Sequence, residues 1–421
     1  MMSKRIFRAL VPAMAVACWT TAYNVGTEST IKNGSPDAAV ADAGRSDASP
    51  THPDAAADAG IDSSGPSFYL GVDVSRVQEE EDKGKVFYDT DGTEKDIFQI
   101  LKNHGFNYVR LRAFVDPLAP EAGYDTAWVK STTGYCDTAH TATMGARVKA
   151  AGMGFLLDLH MSDSWAEPPN QLGQPSPAVQ VTPVAWQGDT LSQLVTQVQT
   201  YTNSVVTQLV AANARPDMVQ IGNGIEAGML FPLGSTSNWA NLAQLINAGI
   251  AGVKAVDSSI KIMAQLGLCG DNAGTRTWVD NAILNGVTFD VLGESCYTQA
   301  QGDPSTWQAN FTVLAKTYPS LSFVISEYAE SFADLSGDNG PDSGGCTSTT
   351  GPCNVWQRAS DIAFGIPEKK GLGAFVWEPT YFDELLFDDA GKTVDPTYLP
   401  NPFDGGARIQ LFDQMAKAYG L

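Results

Sequence analysis

The chain has 421 residues, 43% of them hydrophobic, and its 47 Asp and Glu against 26 Lys and Arg give a formal charge of −21. That length suits one large barrel as well as two average domains, so it sets no boundary by itself. The charge excludes nucleic acid and anionic membrane surfaces as partners, since both need clustered Lys and Arg, and leaves neutral or cationic ones.

Residues 1–18 place Lys4, Arg5 and Arg8 ahead of a short apolar stretch and small residues, the pattern of an export signal. The competing reading is a short buried helix, since the stretch cannot span a bilayer. Ala15, Val16, Ala17 and Cys18 resemble a bacterial lipoprotein processing box. Cys18 is therefore a candidate lipid anchor, and the expected location is secreted, periplasmic or cell-surface. Residues 19–67 are expected to be a disordered linker, because from 34 to 67 they are Asp, Ala, Ser, Gly and Pro with almost no large apolar side chain. A monomeric folded domain is expected over residues 68–421.

From Phe68 onward one module recurs: an amphipathic helix, a Gly or Pro break, and a short apolar strand ending in polar or aromatic residues. After a first strand at 69–74, helices are predicted at 96–104, 143–152, 191–212 and 239–256, preceding strands at 108–114, 155–160, 218–221 and 261–265. Helices at 277–284, 306–317 and 355–366 precede strands at 289–297, 322–327 and 374–377. Eight strands alternating with helices, apolar through their middles, predict a (β/α)8 barrel. A doubly wound sheet is the alternative, but it would normally carry a glycine fingerprint after its first strand, and none is there.

In such a barrel the chemistry sits at the C-terminal strand ends. Those ends present Asp73, Arg110, Arg112, Asp158, His160, Asn223, Glu226, Gln265, Glu294, Tyr297, Glu327, Trp377 and Glu378. Carboxylates on strands four and seven, a Tyr on strand six and a Trp on strand eight make a sugar-cleaving constellation. One carboxylic acid protonates the leaving oxygen, and a second group about 5 to 5.5 Å away attacks the anomeric carbon. Glu327 could instead be the acid of a structural ion pair with Arg112, His160 a hydrogen-bonded core histidine, and Trp377 a packing residue. Trp165 and Trp239 read more readily as loop anchors.

Several motifs occur in one order: GVDVS at Gly71, VFYDTDGTEKDIFQILKNHGFNYVRLRAFVDP from Val86, GYCD at Gly134, LLDLHMSDSWAEP from Leu156, PDMVQIGN at Pro216, GDN at Gly270 and VWEP at Val376. This ordered set resembles glycoside hydrolase family 53, the endo-β-1,4-galactanases that cut arabinogalactan side chains of pectin, over about Tyr69 to Tyr381. The resemblance implies a retaining (β/α)8 enzyme that needs no cofactor for its chemistry and acts on pectic galactan. It puts the nucleophile on Glu327 and makes Tyr297 the residue that orients it. Arg112, His160 and Asn223 line the sugar-binding subsite at the cleaved bond, and Trp377 is its platform. The position of the acid/base, directly after Asn223, is Gly224. Other departures are Met161 for an aromatic, Glu167 for Asp and Cys296 for Tyr.

Three readings of that gap stand side by side. Glu226 serves as a displaced acid; or the chain is a catalytically impaired, carbohydrate-binding relative; or Glu294 supplies the proton, although alternation along strand six turns it outward. In an extended strand, residues two apart are about 6.6 Å apart along the chain, far beyond the roughly 0.5 Å tolerance of a catalytic group. Glu226 can therefore act only if the glycine-containing turn bulges. A wider carboxylate gap would put the retaining outcome itself in question.

Asp334, Asp338, Asn339 and Asp342 supply hard oxygen ligands suited to a structural Ca²⁺, the alternative being a solvated acidic loop. Cys346 and Cys353 bracket a loop that closes easily, and Cys269 with Cys296 is a second candidate disulfide pair, which leaves Cys136 over.

Overall fold

The computed structural model describes residues 68–119, 134–166, 182–329, 355–380, 386–388, 390–393 and 408–421. The chain divides into Met1–Ser63 and Ser64–Leu421, and every described residue lies in the second unit. The signal, the linker, Cys18, Glu167, Cys346, Cys353 and the four candidate calcium ligands lie outside the described residues.

Eight parallel strands close a barrel in chain order: β1 Tyr69–Asp73, β2 Tyr108–Ala113, β3 Gly154–Leu159, β4 Met218–Ile221, β5 Lys261–Leu266, β6 Val291–Ser295, β7 Ser322–Tyr328 and β8 Gly371–Trp377. β8 returns to β1, pairing Tyr69 with Gly373 and Asp73 with Trp377. The helices are α1 Val77–Asp82, α2 Ile97–Asn103, α3 Thr138–Ala150, α4 Leu191–Ala211, α5 Trp239–Val256, α6 Asn272–Leu284, α7 Thr298–Gln301, α8 Pro304–Thr317, α9 Val355–Phe364 and α10 Gln410–Tyr419. The expected (β/α)8 barrel is the observed one. Its element ends shift where local hydrogen bonds decide them: α3 starts five residues early because Asp137 caps the His140 amide at 2.7 Å. β6 stops at Ser295, and Tyr297 instead leads into the single turn of α7.

Alternation along the strands separates two cores. Tyr69, Tyr108, Leu156, Met218, Met263, Val291, Val324 and Phe375, one from each strand, fill the barrel interior. Gly71 makes that plug possible, since a Cβ there would lie 2.3 Å from the Phe375 ring. The other parity, such as Leu70, Val72, Val109, Leu111, Leu157 and Ile325, packs outward in the strand–helix core. The next inward positions toward the C-terminal rim are Asp73, Arg110, Asp158 and Gln220, all buried, so a polar layer rests directly on the apolar plug.

Strand β7 breaks this alternation. Glu294 is opposite Ile325 but Ser295 is opposite Glu327, so Ser326 is one residue too many. The pairing with β8 skips at the same place, between Ile325 and Tyr328. The bulge reverses the parity of the last two residues, turning Tyr328 out into the strand–helix core and Glu327 in toward the polar layer.

Candidate active site

Arg110 is the centre of the polar layer. Held inward by the middle of β2 and 1% exposed, it donates to Asp73 Oδ2 at 2.9 Å and Asp158 Oδ2 at 2.7 Å. It also reaches Asn223 Oδ1 at 2.9 Å and Glu327 Oε1 at 2.7 Å. Gln220 Oε1 accepts from its Nε at 3.3 Å and Nη2 at 3.2 Å. One guanidinium thus organises three buried carboxylates and two amides, for which its planar fork of donors is suited. Burial opposes the charge on Arg110, yet Asp158, Glu327 and Asp73 outweigh it and raise its proton affinity.

Glu327 has both oxygens engaged: Oε1 by Arg110 and Oε2 by the Tyr297 hydroxyl, which donates at 3.1 Å. These bonds fix the plane of the carboxylate. The ion pair weighed from the sequence, Glu327 with Arg112, is not formed. Arg112 sits one inward position nearer the rim, where it pairs with Glu378, approaches Asp73 Oδ1 at 3.7 Å and lies over the Trp165 ring at 4.2 Å. Glu378 is fully buried with a φ of 44°, and burial, assisted by Asp73 and opposed by Arg112, pushes its carboxyl up to about 7.

His160 accepts the Ala166 amide on Nδ1 at 3.0 Å, so its Nε2 carries the proton directed at Asp158 Oδ2, 3.0 Å away. Burial would raise the Asp158 carboxyl, but Arg110 and His160 more than offset it and hold it below the usual range. Asn223 receives Arg110 and Gln220 on its oxygen and donates to the Ala166 carbonyl at 3.2 Å. Trp377, partly exposed, meets Trp165 edge to face at 5.9 Å, and Trp165 in turn meets Phe114 at 5.9 Å and His160 at 6.0 Å. Trp165 therefore belongs to the rim cluster, whereas Trp239 packs on Trp278 at 5.4 Å as a helix anchor.

After Ile221 the chain leaves the strand. Gly222 and Gly224 take φ of 79° and 57°, values that favour glycine, and the amides of Gly224 and Ile225 are both held by Gln265. The segment carrying Glu226 is thus a tight turn rather than a continued strand, as its use requires. The Glu226 carboxylate accepts the Gly267 amide at 3.1 Å. Burial raises its pKa most, the amides of Glu226 and Gly267 lower it, and the Glu327 charge raises it again, for a net rise. Glu294 faces the other way: it accepts from Leu268 N at 3.0 Å and from the Thr275 hydroxyl at 2.9 Å outside the barrel, and burial pushes it up to about 8.

The structure thus brings Glu327, Tyr297, Arg112, His160, Asn223 and Trp377 to one rim, with Glu226 on the adjoining turn. Among the described residues no group of three or more His, Cys, Asp or Glu is arranged to hold a metal ion. Cys269 and Cys296 form a disulfide with a Cα separation of 5.3 Å. Cys136 is free and buried, its thiol pushed up to about 11 by burial. Arg110 stands among the strand-end residues read from the sequence but received no role there. Its signal was present, since it lies two residues before Arg112 and shares its face.

The glycosyl hydrolase family 53 model matches residues 69–405. An "uncharacterized protein in bgaB 5′ region" of Niallia circulans is 33% identical over 331 residues, covering 75% of this chain and 84% of that protein. The arabinogalactan endo-β-1,4-galactanase A of Aspergillus niger is 29% identical over 325 residues, covering 75% and 86%. Among solved structures, the Ignisphaera aggregans GH53 catalytic domain superposes with a TM-score of 0.68 at 28% identity, over 82% of this chain and 96% of the other. A structure of two fungal β-1,4-galactanases gives 0.63 at 26% identity, over 82% and 99%.

Proposed function

The chain belongs to glycosyl hydrolase family 53, and from that premise we propose that it hydrolyses internal β-1,4-galactosidic bonds of galactan, with Glu327 as nucleophile and Glu226 as displaced acid/base. The observation that carries this reading is the placement of Glu226: on a turn with two left-handed glycines, held by the Gly267 amide, its pKa raised by burial first and by the Glu327 charge among the other causes. A carboxyl whose hold on its proton is strengthened by burial, paired with a second one oriented by Arg110 and Tyr297, is the division of labour that glycoside cleavage requires. Glu327 attacks the anomeric carbon, the glycosidic C–O bond breaks, and the Glu226 proton passes to the leaving oxygen. Water then attacks the glycosyl–Glu327 ester, gives its proton to Glu226, and frees Glu327. Arg112, His160, Asn223 and Trp377 line the sugar site in this scheme. The identity of the galactanases that resemble the chain supports galactan as substrate. The segment before residue 68 supports export with a tethering linker.

One observation favours a second reading. Gly224 leaves no carboxyl directly after Asn223, and a chain without its general acid would bind galactan and turn it over slowly. The test is oligosaccharide release from β-1,4-galactan by the wild type and by Glu226→Gln, with the product anomer followed by proton NMR. The expected result is turnover by the wild type, the retained anomer, and a fall of about 10²- to 10⁴-fold in the variant. Undiminished activity of the variant removes Glu226 as the acid, and tight galactan binding without turnover by the wild type establishes the binding protein.

A further inference from the structure

We propose that the turn Gly267–Leu268–Cys269, pinned by the Cys269–Cys296 disulfide, is a positioning device that fixes the Glu226 carboxyl relative to Glu327. The proposal rests on Glu226 being the proton donor. A carboxyl moved off a strand end onto a turn with two left-handed glycines has lost the rigidity of the strand. A donor still has to be held to within about 0.5 Å. Beside the amide of Glu226 within the turn, the chain after β5 supplies a constraint from outside it.

Each of the three residues makes its own tie. The Gly267 amide donates to Glu226 at 3.1 Å, and its carbonyl accepts from Gln301 Nε2 at 3.1 Å. The Leu268 amide donates to Glu294 at 3.0 Å, so two carboxyl groups rest on consecutive amides. Cys269 accepts Asn310 Nδ2 on its carbonyl at 2.9 Å and is bonded through sulfur to Cys296. Cys296 is next to Tyr297, whose hydroxyl holds Glu327, and its own amide donates to the Glu327 carbonyl at 2.8 Å. Gln301 closes the same gap without covalent help, its Oε1 accepting the Tyr297 amide at 3.0 Å. A Cβ on Gly270 would lie 2.0 Å from the Gln301 carbonyl oxygen, which leaves the turn no room to move toward α7. The route from acid to nucleophile is therefore short, and the disulfide is the covalent cross-link in it.

The test compares the full-length Cys269→Ala/Cys296→Ala variant with the wild type on two substrates. One is galactan; the other is a dinitrophenyl β-galactoside, whose leaving group departs without a proton. The expected result on galactan is a kcat lower by on the order of tenfold, a part of the 10² to 10⁴ that a general acid supplies. KM changes little, the high-pH limb of the kcat profile moves, and kcat/KM on the dinitrophenyl galactoside, which reports the bond-cleavage step before Glu226 acts as base, is retained. An equal fall of kcat/KM on both substrates, or an unchanged galactan rate in the folded variant, overturns the proposal. If the cysteine variant does not fold, Gln301→Leu removes the non-covalent brace with the disulfide intact, and the same loss confined to galactan is expected. No such loss there overturns the proposal too. Glu226→Gln run in parallel separates the two failures. If it leaves galactan turnover intact, the acid assignment and this proposal fall together. If it shows the loss confined to galactan and the braced variants do not, this proposal alone falls.

Discussion

Tyr297 and Glu327 are joined by one bond, a hydroxyl donated at 3.1 Å to Oε2, while Arg110 holds the other oxygen. Tyr297→Phe removes that bond. A hydrogen bond to a charged group contributes about 1.5 to 3 kcal/mol. If Glu327 is the nucleophile, kcat on galactan is expected to fall by about tenfold or more. A rate within a factor of about two of wild type would show that Tyr297 does not orient the carboxylate. At this scale the sequence was informative wherever chemistry follows from strand position. His160 and Trp377 are at the rim because inward parity at a strand end puts them there, whereas Glu327 needs the β7 bulge and Asn223 the turn after β4. Partner choice was not legible. Arg110 and Arg112 share a face, and only the depth of each along β2, together with Glu378 and Trp165 at the rim, decides that Arg110 takes Glu327.

The β7 bulge and the β5–α6 turn are properties of elements. In a regular β7, Val324 and Ser326 would face in and Glu327 out, so one extra residue at Ser326 makes Glu327 a site residue. Nothing in the run FVISEY announces it, because a bulge costs no particular residue type and is set by pairing with both neighbours. The outward face of β6 was legible: simple alternation sends Glu294 toward α6, where it meets Leu268 and Thr275. Its protonation has a measurable consequence. In the folded chain burial holds the Glu294 proton up to about 8, against an ordinary value of 4.5. Between those values folding takes up a proton, so stability is expected to fall as pH rises through the window, by about 1.4 kcal/mol per pH unit at most. Glu294→Gln mimics the neutral acid and keeps a carbonyl oxygen that accepts from the Leu268 amide or the Thr275 hydroxyl. Its melting temperature should match wild type near pH 4.5 and exceed it increasingly up to about pH 8. Parallel curves for the two proteins over that range would mean that Glu294 is ionised in the folded state.

At the scale of the molecule, eight repeats of helix, break and strand made the barrel legible, because a parallel strand buried on both sides must be apolar through its middle. What repetition cannot reveal is how charge is distributed inside it. The two buried arginines are matched to carboxylates within the site, Arg110 with Asp73, Asp158 and Glu327, and Arg112 with Glu378. Among the described residues these two buried arginines are paired within the site, while the whole chain carries −21. Isolated galactan is neutral, so its encounter with such a protein has no long-range electrostatic term. Galactan still attached to a polyuronide backbone is different, because the like-charged backbone repels the protein until salt intervenes. Raising salt from about 0.01 M to about 0.1 M shortens the screening length from about 30 Å to about 10 Å. Over that range kcat/KM on isolated galactan is expected to stay level, and kcat/KM on uronide-linked galactan to rise. A fall with salt on the linked polymer would require an attractive basic surface, which would contradict the reading of the charge with which the sequence began.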